Sequence, residues 1–207
     1  MKLAYLLKKF PRLSETFVLG EMLAQERLGA ELHVFSRRAP DPEPEHPELA
    51  ELRAAVEVLP PTREIDPWRA LFDGGAADDG LLESLRAALA DLAEIELPRL
   101  PALVAEALHL RRRCAELGVA HVHVHFATEA AVTAMLLHAL GGPTYSITAH
   151  AKDIYRSTVR PELLRRVIGR SAFTVTVCDA NVRHMASLLG PEAAARVERV
   201  LTSDPGM

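Results

Sequence analysis

Short apolar segments alternate along the chain with segments whose apolar positions recur every three or four residues. The opening run 2–7 is apolar and is followed by two lysines, which predicts a buried strand. A helix is predicted over 15–28, because Gly29 follows it and glycine commonly ends a helix. Residues 31–36 predict a second strand. A strand, a helix and a strand in succession indicate the start of a parallel α/β sheet.

The same alternation continues through the rest of the chain. Further strands are predicted at 56–59, 119–126, 144–148, 172–177 and 197–201. Helices are predicted after Asp66, on leucine stripes over 82–92 and 103–117, and over 128–140, 161–168 and 179–189. Alternating strands and helices of this kind predict an α/β fold, a Rossmann-like parallel sheet with helices on both faces.

We interpret residues 1–201 as a single domain and residues 202–207 as a polar tail. Within the domain, residues 37–48 alternate proline with acidic residues. Neither a strand nor a helix accommodates that pattern, so a solvated excursion is predicted there. Hydrophobic residues make up 49% and charged residues 25% of the 207 residues. This balance is typical of a soluble globular protein.

Composition excludes several classes of protein. The net charge of −4 gives no basis for general nucleic-acid binding, and two cysteines do not make a disulfide framework. No apolar run reaches the roughly 18 residues that a membrane span needs. A cytoplasmic protein is therefore predicted. A second interpretation puts it at the inner face of the membrane, with anionic headgroups contacting five basic residues, Lys8, Lys9, Arg12, Arg37 and Arg38.

Three histidines alternate with valines on the strand predicted at 119–126. His121, His123 and His125 share one face, because side chains alternate along a strand. The three span about 13 Å and cannot all reach one metal ion. One interpretation is a zinc pair, His123 and His125, with a third ligand such as His150. The interpretation we favour is that His121 and His123 are hydrogen-bonded strand residues under a helix, and that His125 faces a ligand.

Two further candidate segments follow predicted strands, where open parallel sheets bind ligands. His150 follows the strand 144–148 and can donate a hydrogen bond to an anion or a hydroxyl group, with Asp153 orienting it. The alternative is a capped helix start in which Asp153 pairs with an arginine. After the first strand, three residues at a helix start can bind sugar hydroxyls or phosphate, namely Ser14, Glu15 and Thr16. The alternative is ordinary capping by Ser14.

Four motifs occur in a fixed order over about residues 1–200. They are Phe10-Pro11-x-x-Ser14-Glu15-Thr16-Phe17, His123-x-His125-Phe126-Ala127, Thr148-Ala149-His150-Ala151-x-Asp153-Ile154-Tyr155 and Val175-Thr176-Val177-x-x-x-Asn181. Together they resemble the N-terminal domain of family-four glycosyltransferases, in the colanic acid and exopolysaccharide biosynthesis branch. Fingerprints of dinucleotide-binding, P-loop and α/β-hydrolase proteins are absent from the sequence.

The resemblance implies a retaining transferase of the GT-B type, in which two Rossmann-like domains face each other across a cleft. The N-terminal domain mainly binds the acceptor, and the C-terminal domain binds the nucleotide-sugar donor. At the matching positions, His150 would contact the donor sugar or its diphosphate and help stabilise charge. Ser14, Glu15 and Thr16 would lie near the donor phosphates and the acceptor. His125 and Asn181 would line the cleft. Such enzymes need neither a metal nor another cofactor, the nucleotide-sugar being a co-substrate.

The sequence departs from this family after the strand 197–201, where family members continue into a donor domain. We therefore expect the chain to be inactive alone, whether it is a fragment, the product of a truncated gene or a half that works with a separate donor domain as its partner. Two alternatives remain open. One is a non-enzymatic or degenerate Rossmann-like domain that binds a glycan or a protein partner. The other is a metal-dependent hydrolase built on the histidine strand.

Overall fold

The computed structural model describes residues 2–72 and 79–200, so the predicted tail lies outside the described residues. The strands are β1 (Lys2–Leu7), β2 (Glu31–Ser36), β3 (Ala55–Val58), β4 (Val119–His125), β5 (Thr144–Thr148), β6 (Phe173–Thr176) and β7 (Val197–Arg199). They form one parallel sheet in the order β3-β2-β1-β4-β5-β6-β7. The predicted Rossmann-like α/β fold is confirmed.

The helices connect these strands. They are α1 (Thr16–Arg27), α2 (Pro67–Phe72), α3 (Asp79–Leu92), α4 (Leu100–Leu117), α5 (Glu129–Ala139), α6 (Ala151–Ile154), α7 (Pro161–Gly169), α8 (Asp179–Leu189) and α9 (Pro191–Ala194). Two 3₁₀ turns lie at Pro47–Glu51 and Thr62–Glu64.

Alternation along β1 divides the buried residues between two faces of the sheet. Tyr5 and Leu7 pack beneath α1 in the smaller core. Ala4 and Leu6 point to the other face and join the larger core, to which α3, α4, α5, α7, α8 and α9 contribute. Side chains one residue apart on a strand face opposite ways, so a single apolar run supplies both cores.

The direction in which strands are added reverses between β1 and β4. β2 and β3 extend the sheet on one side of β1, whereas β4 pairs with its other side and β5, β6 and β7 follow. The loops after β1 and β4 therefore leave neighbouring strands in opposite directions. In doubly wound sheets this is the place where a crevice forms and ligands bind.

Residues 37–48 are exposed for most of their length, but Arg37 is buried. Its guanidinium donates two hydrogen bonds to Glu106 on α4, at 2.7 and 3.2 Å, and lies 3.4 Å from Glu129 on α5. The solvated excursion therefore begins after Arg37. A buried arginine needs such a carboxylate partner, because burying an unpaired charge is costly.

The rest of this segment folds back over the loop that follows β1. Lys9 forms an ion pair with Asp41, and the backbone N–H of Leu13 donates to Glu43 at 3.1 Å. Arg12 pairs with Glu15 at 2.9 Å. With Arg37 buried as well, three of the five basic residues that we assigned to a membrane-facing patch are already paired with carboxylates. No helix within residues 2–72 and 79–200 is both long enough and apolar enough to cross a membrane.

Helix α1 begins one residue later than expected. Glu15 occupies the cap position, and no side-chain hydrogen bond caps the helix. The prediction that Ser14 caps this helix is therefore wrong. Its side chain is exposed at the start of α1.

Candidate functional site

Three of the four sequence motifs meet at the carboxyl edge of the sheet. The ring of His150 lies 5.0 Å from that of Phe17 on α1 and 4.5 Å from that of Phe126 after β4. It lies 5.7 Å from the ring of His125. These residues are up to 133 positions apart in the sequence (150 − 17), and the strand order brings them together.

His150 is half-buried directly after β5. Its Nε2 lies 3.4 Å from Nδ1 of His125. Burial and the neighbouring charge of His125 lower the pKa of His150 to about 4. The imidazole is therefore neutral at pH 7, with one nitrogen a hydrogen-bond donor and the other an acceptor.

Asp153 fixes the loop that carries His150. Its carboxylate accepts hydrogen bonds from the backbone N–H of His150, at 3.1 Å, and from the backbone N–H of Ala127. Burial raises the pKa of Asp153 to about 6, against the opposing effect of these N–H donors. The capped helix start is confirmed, but the partners of Asp153 are backbone groups rather than an arginine.

Phe126 leaves the alternation of β4. Its φ of +71° is in the left-handed region, which residues other than glycine rarely adopt. The turn ends the strand at His125, one residue earlier than predicted. As a result the Phe126 ring lies against His150 instead of sharing the apolar face of Val122 and Val124.

His125 is 2% exposed and lies behind His150 rather than on the outer surface of the site. Its ring stacks on Tyr5 at 6.0 Å and contacts Phe17 edge-on at 5.8 Å. A direct contact between His125 and a ligand stays a prediction. The structure shows His125 in contact with His150, the more exposed of the two histidines.

Glu21 on α1 is a site residue that sequence reasoning missed. Its Oε2 lies 3.4 Å from Nε2 of His125, and its Oε1 accepts a hydrogen bond from the Tyr5 hydroxyl at 2.8 Å. Burial alone would raise the pKa of Glu21, but close contact with His125, the charge of His125 and the hydrogen bond from Tyr5 hold it at about 2. The one available signal is spacing, since Glu21 follows Phe17 by four residues and shares its helix face.

His121 and His123 form a hydrogen-bonded ladder with hydroxyl groups of β5. His121 lies 2.8 Å from Thr144 and 2.7 Å from Ser146, and His123 lies 2.8 Å from Ser146 and 2.9 Å from Thr148. The predicted hydrogen bonds of His121 and His123 are confirmed. Burial lowers the pKa of His123 to about 3, so its imidazole is neutral at pH 7.

The start of α1 contributes exposed polar groups to the same edge. Ser14 and Thr16 are exposed, whereas the Glu15 carboxylate accepts a hydrogen bond from Arg12 at 2.9 Å. Phe17 follows directly and contacts His150. Ligand binding by these three residues stays a prediction.

Asn181 is not brought to the exposed part of the site. It is 3% exposed, and its amide donates to the Thr176 hydroxyl at 2.8 Å, which in turn donates to the carbonyl of Ala149 at 3.0 Å. Asn181 therefore supports the backbone immediately before His150.

A cavity of about 460 Å³ lies at the opposite edge of the sheet. It is lined by residues of α4, by Val119 at the start of β4 and by the turn Gly141-Gly142-Pro143. The candidate site is therefore an open edge rather than this cavity.

No family model and no curated protein matches the chain. Among solved structures, a sucrose-phosphate synthase from Thermosynechococcus elongatus matches 97% of this chain and 48% of its own, with a TM-score of 0.59 and 11% identity. The lipopolysaccharide outer core galactosyltransferase WaaB, in its apo form, matches 96% and 44%, with a TM-score of 0.55 and 10% identity. A putative UDP-N-acetylglucosamine 2-epimerase from Listeria monocytogenes matches 95% and 43%, with a TM-score of 0.54 and 12% identity.

The fold is that of a GT-B half-domain. The chain spans less than half the length of each of these three proteins. At 10–12% identity the likeness shows the fold alone, and membership of family four and of its colanic acid branch stays a prediction.

Proposed function

We propose that this chain is the acceptor-side domain of a retaining, family-four glycosyltransferase of the colanic acid and exopolysaccharide type. It would serve transfer of a sugar from a nucleotide-sugar to a bacterial polysaccharide or lipid-linked glycan in the cytoplasm. The observation that carries the proposal is the convergence of Phe17, His125, Phe126 and His150 at the carboxyl edge of a GT-B half-domain.

In this proposal His150 is the catalytic residue, because it touches the donor sugar or its diphosphate. A neutral imidazole supplies one N–H donor to a hydroxyl or phosphate oxygen without giving up a proton. Fixed donors aimed at developing negative charge stabilise a transition state more than flexible ones. Asp153 and His125 are positioning residues, since they hold the backbone and the ring of His150.

Ser14 and Thr16 are proposed to contact the acceptor or the donor phosphates through their exposed hydroxyl groups. Glu15 would contribute its carboxylate to acceptor hydroxyls, with Arg12 holding it in place. The support is their place at the start of α1, beside the Phe17 ring that contacts His150.

We propose that a second, donor-binding domain takes part in transfer and that transfer itself needs no resident cofactor. Most of the contacts that stabilise the leaving nucleotide are expected from that domain, so residues 1–207 by themselves should not complete the reaction. The fold also accommodates a non-enzymatic glycan-binding domain, which is the alternative that the experiment must separate.

The test is a transfer assay with a panel of UDP- and GDP-sugars and a lipid-linked glycan, with and without a separately produced donor domain. Transfer is expected only in the combined sample, and it should be lost in His150→Ala. His138→Ala, at an exposed histidine of α5, is the matched control and should keep full transfer. Glycan binding without transfer in any combination would favour the non-enzymatic domain. Transfer that survives His150→Ala would exclude the proposed role of His150.

A further inference from the structure

Helix α1 and strand β4 bring a carboxylate and two imidazoles to one point. One ligand atom from each of Glu21, His123 and His125 lies within 4.8 Å of the other two. Carboxylate oxygens of Glu21 lie 3.4 Å from Nε2 of His125 and 3.6 Å from Nε2 of His123. Ligands at about 2.0–2.1 Å from a tetrahedral zinc ion are roughly 3.3 Å apart. The two distances to Glu21 are close to this value, and the ligand atoms of the two histidines, within 4.8 Å of each other, would have to approach by up to about 1.5 Å.

The Nε2 atom of His125 is a second, independent indication that a cation binds here. His125 is 2% exposed, and within the described part of the chain this buried nitrogen has no hydrogen-bond partner. A carboxylate oxygen of Glu21 lies 3.4 Å from it. A buried polar atom without a partner is costly, and a bound cation would remove that cost.

We propose that Glu21, His123 and His125 form a binding site for a divalent cation of the zinc class. Two imidazole nitrogens and one carboxylate oxygen suit zinc better than magnesium or calcium, which prefer oxygen ligands. Glu21, rather than His150, is the third ligand in this proposal. His150 cannot join it directly, because it approaches Nδ1 of His125, the nitrogen on the other side of that ring.

Each ligand side chain is already held by a second contact. Ser146 lies 2.8 Å from Nδ1 of His123, and the Tyr5 hydroxyl donates to Glu21 at 2.8 Å. Such outer contacts orient metal ligands in proteins. Thr148 lies 2.9 Å from Nε2 of His123, and its hydroxyl must turn aside when the cation binds.

The site would couple to His150 through one proton. With a cation on Nε2 of His125, the hydrogen of that ring is on Nδ1 and is donated to Nε2 of His150. Cation binding would therefore fix which nitrogen of His125 donates toward His150. This inference does not depend on glycosyl transfer and holds for any function of the edge.

The experiment titrates zinc chloride into the chelator-treated full chain and measures stoichiometry by calorimetry. One zinc per chain is expected. Cobalt(II) in the same site should give the visible absorption of a four-coordinate ion. Glu21→Gln and His125→Gln should each weaken zinc binding by more than the roughly 10–100-fold that loss of an outer contact costs.

His121→Gln is the matched control, since His121 lies on the same face of β4 but outside the cluster. It should bind zinc like the unchanged chain. Far-UV circular dichroism of each variant shows whether it is folded. The proposal is overturned if the folded chain binds no zinc at micromolar concentrations. It is equally overturned if folded Glu21→Gln and His125→Gln bind zinc as tightly as His121→Gln does.

Discussion

The carboxylate of Asp153 accepts a hydrogen bond from the backbone N–H of Ala127, and so joins the loop after β5 to the loop after β4. Its second oxygen accepts from the backbone N–H of His150. One buried side chain thereby fixes both loops that frame the candidate site. The position of the His150 ring therefore depends on a residue that needs no contact with any ligand.

Removing this carboxylate should cost stability. Asp153→Ala leaves two backbone N–H groups without their acceptor, and each such buried group costs about 1–3 kcal/mol. We expect the free energy of unfolding at pH 4.5 to fall by at least about 2 kcal/mol in urea denaturation. Asp179→Asn alters an exposed ion pair with Arg199 and should change the free energy of unfolding by less than about 1 kcal/mol. Equal effects of the two substitutions would contradict the structural role of Asp153.

The same residue should make stability depend on pH. Burial raises the pKa of Asp153 to about 6, whereas an aspartate in an unfolded chain titrates near 3.9. Between these two pKa values the folded chain keeps the proton on Asp153, whereas the unfolded chain releases it. The stability that protonated Asp153 contributes is therefore complete below about pH 4 and is lost as the pH rises through about 6. The difference in unfolding free energy between the unchanged chain and Asp153→Ala should therefore shrink across this window. A difference that grows with pH would mean that the pKa is lowered instead.

The sequence was sufficient for the strands and the longer helices and for their order along the chain, because each depends on a local period; the four-residue helices α6 and α9 were not predicted. The apolar run of β1 and the alternating histidines of β4 both lie where the pattern predicts. The end of β4 was not predictable in this way. Phe126 adopts a positive φ that its residue type disfavours, and only the contacts with His150 and the loop after β5 account for that.

Two charged groups were missed because their partners are distant in the sequence. Glu21 reaches His125 from another element, and the intervening 103 residues (125 − 21 − 1) carry no mark of the pairing. The sequence predicts that Arg37 begins a solvated segment, since the residues that follow it are mostly polar or proline. Its burial depends on Glu106, 69 positions away. Periodicity reports which face a residue takes, but not which charged residue lies opposite.

The buried pair of Arg37 and Glu106 should be far more sensitive to substitution than exposed pairs. Glu106→Gln keeps the shape of the side chain but leaves the buried guanidinium short of its bidentate carboxylate, which typically costs about 3–5 kcal/mol. Glu51→Gln, in an exposed pair with Arg27, should cost less than about 1 kcal/mol. Thermal and urea unfolding of both variants would measure this difference. A small effect of Glu106→Gln would mean that the carboxylate of Glu129 alone can neutralise the buried guanidinium of Arg37.

Phe17 should control the protonation of His150. Its ring packs 5.0 Å from the imidazole, and burial is the main cause that lowers the pKa of His150 to about 4. Phe17→Ala opens this side of the ring to water, so the pKa should rise toward the ordinary value of about 6.5. NMR titration of the histidine ring carbons in chelating buffer measures it. Phe72→Ala, at an equally exposed ring that stacks on Trp68, is the control. If both variants leave the titration of His150 unchanged, Phe17 does not shield the His150 ring from water. The edge proposed for sugar transfer would then lack the aromatic side chain that excludes water from His150.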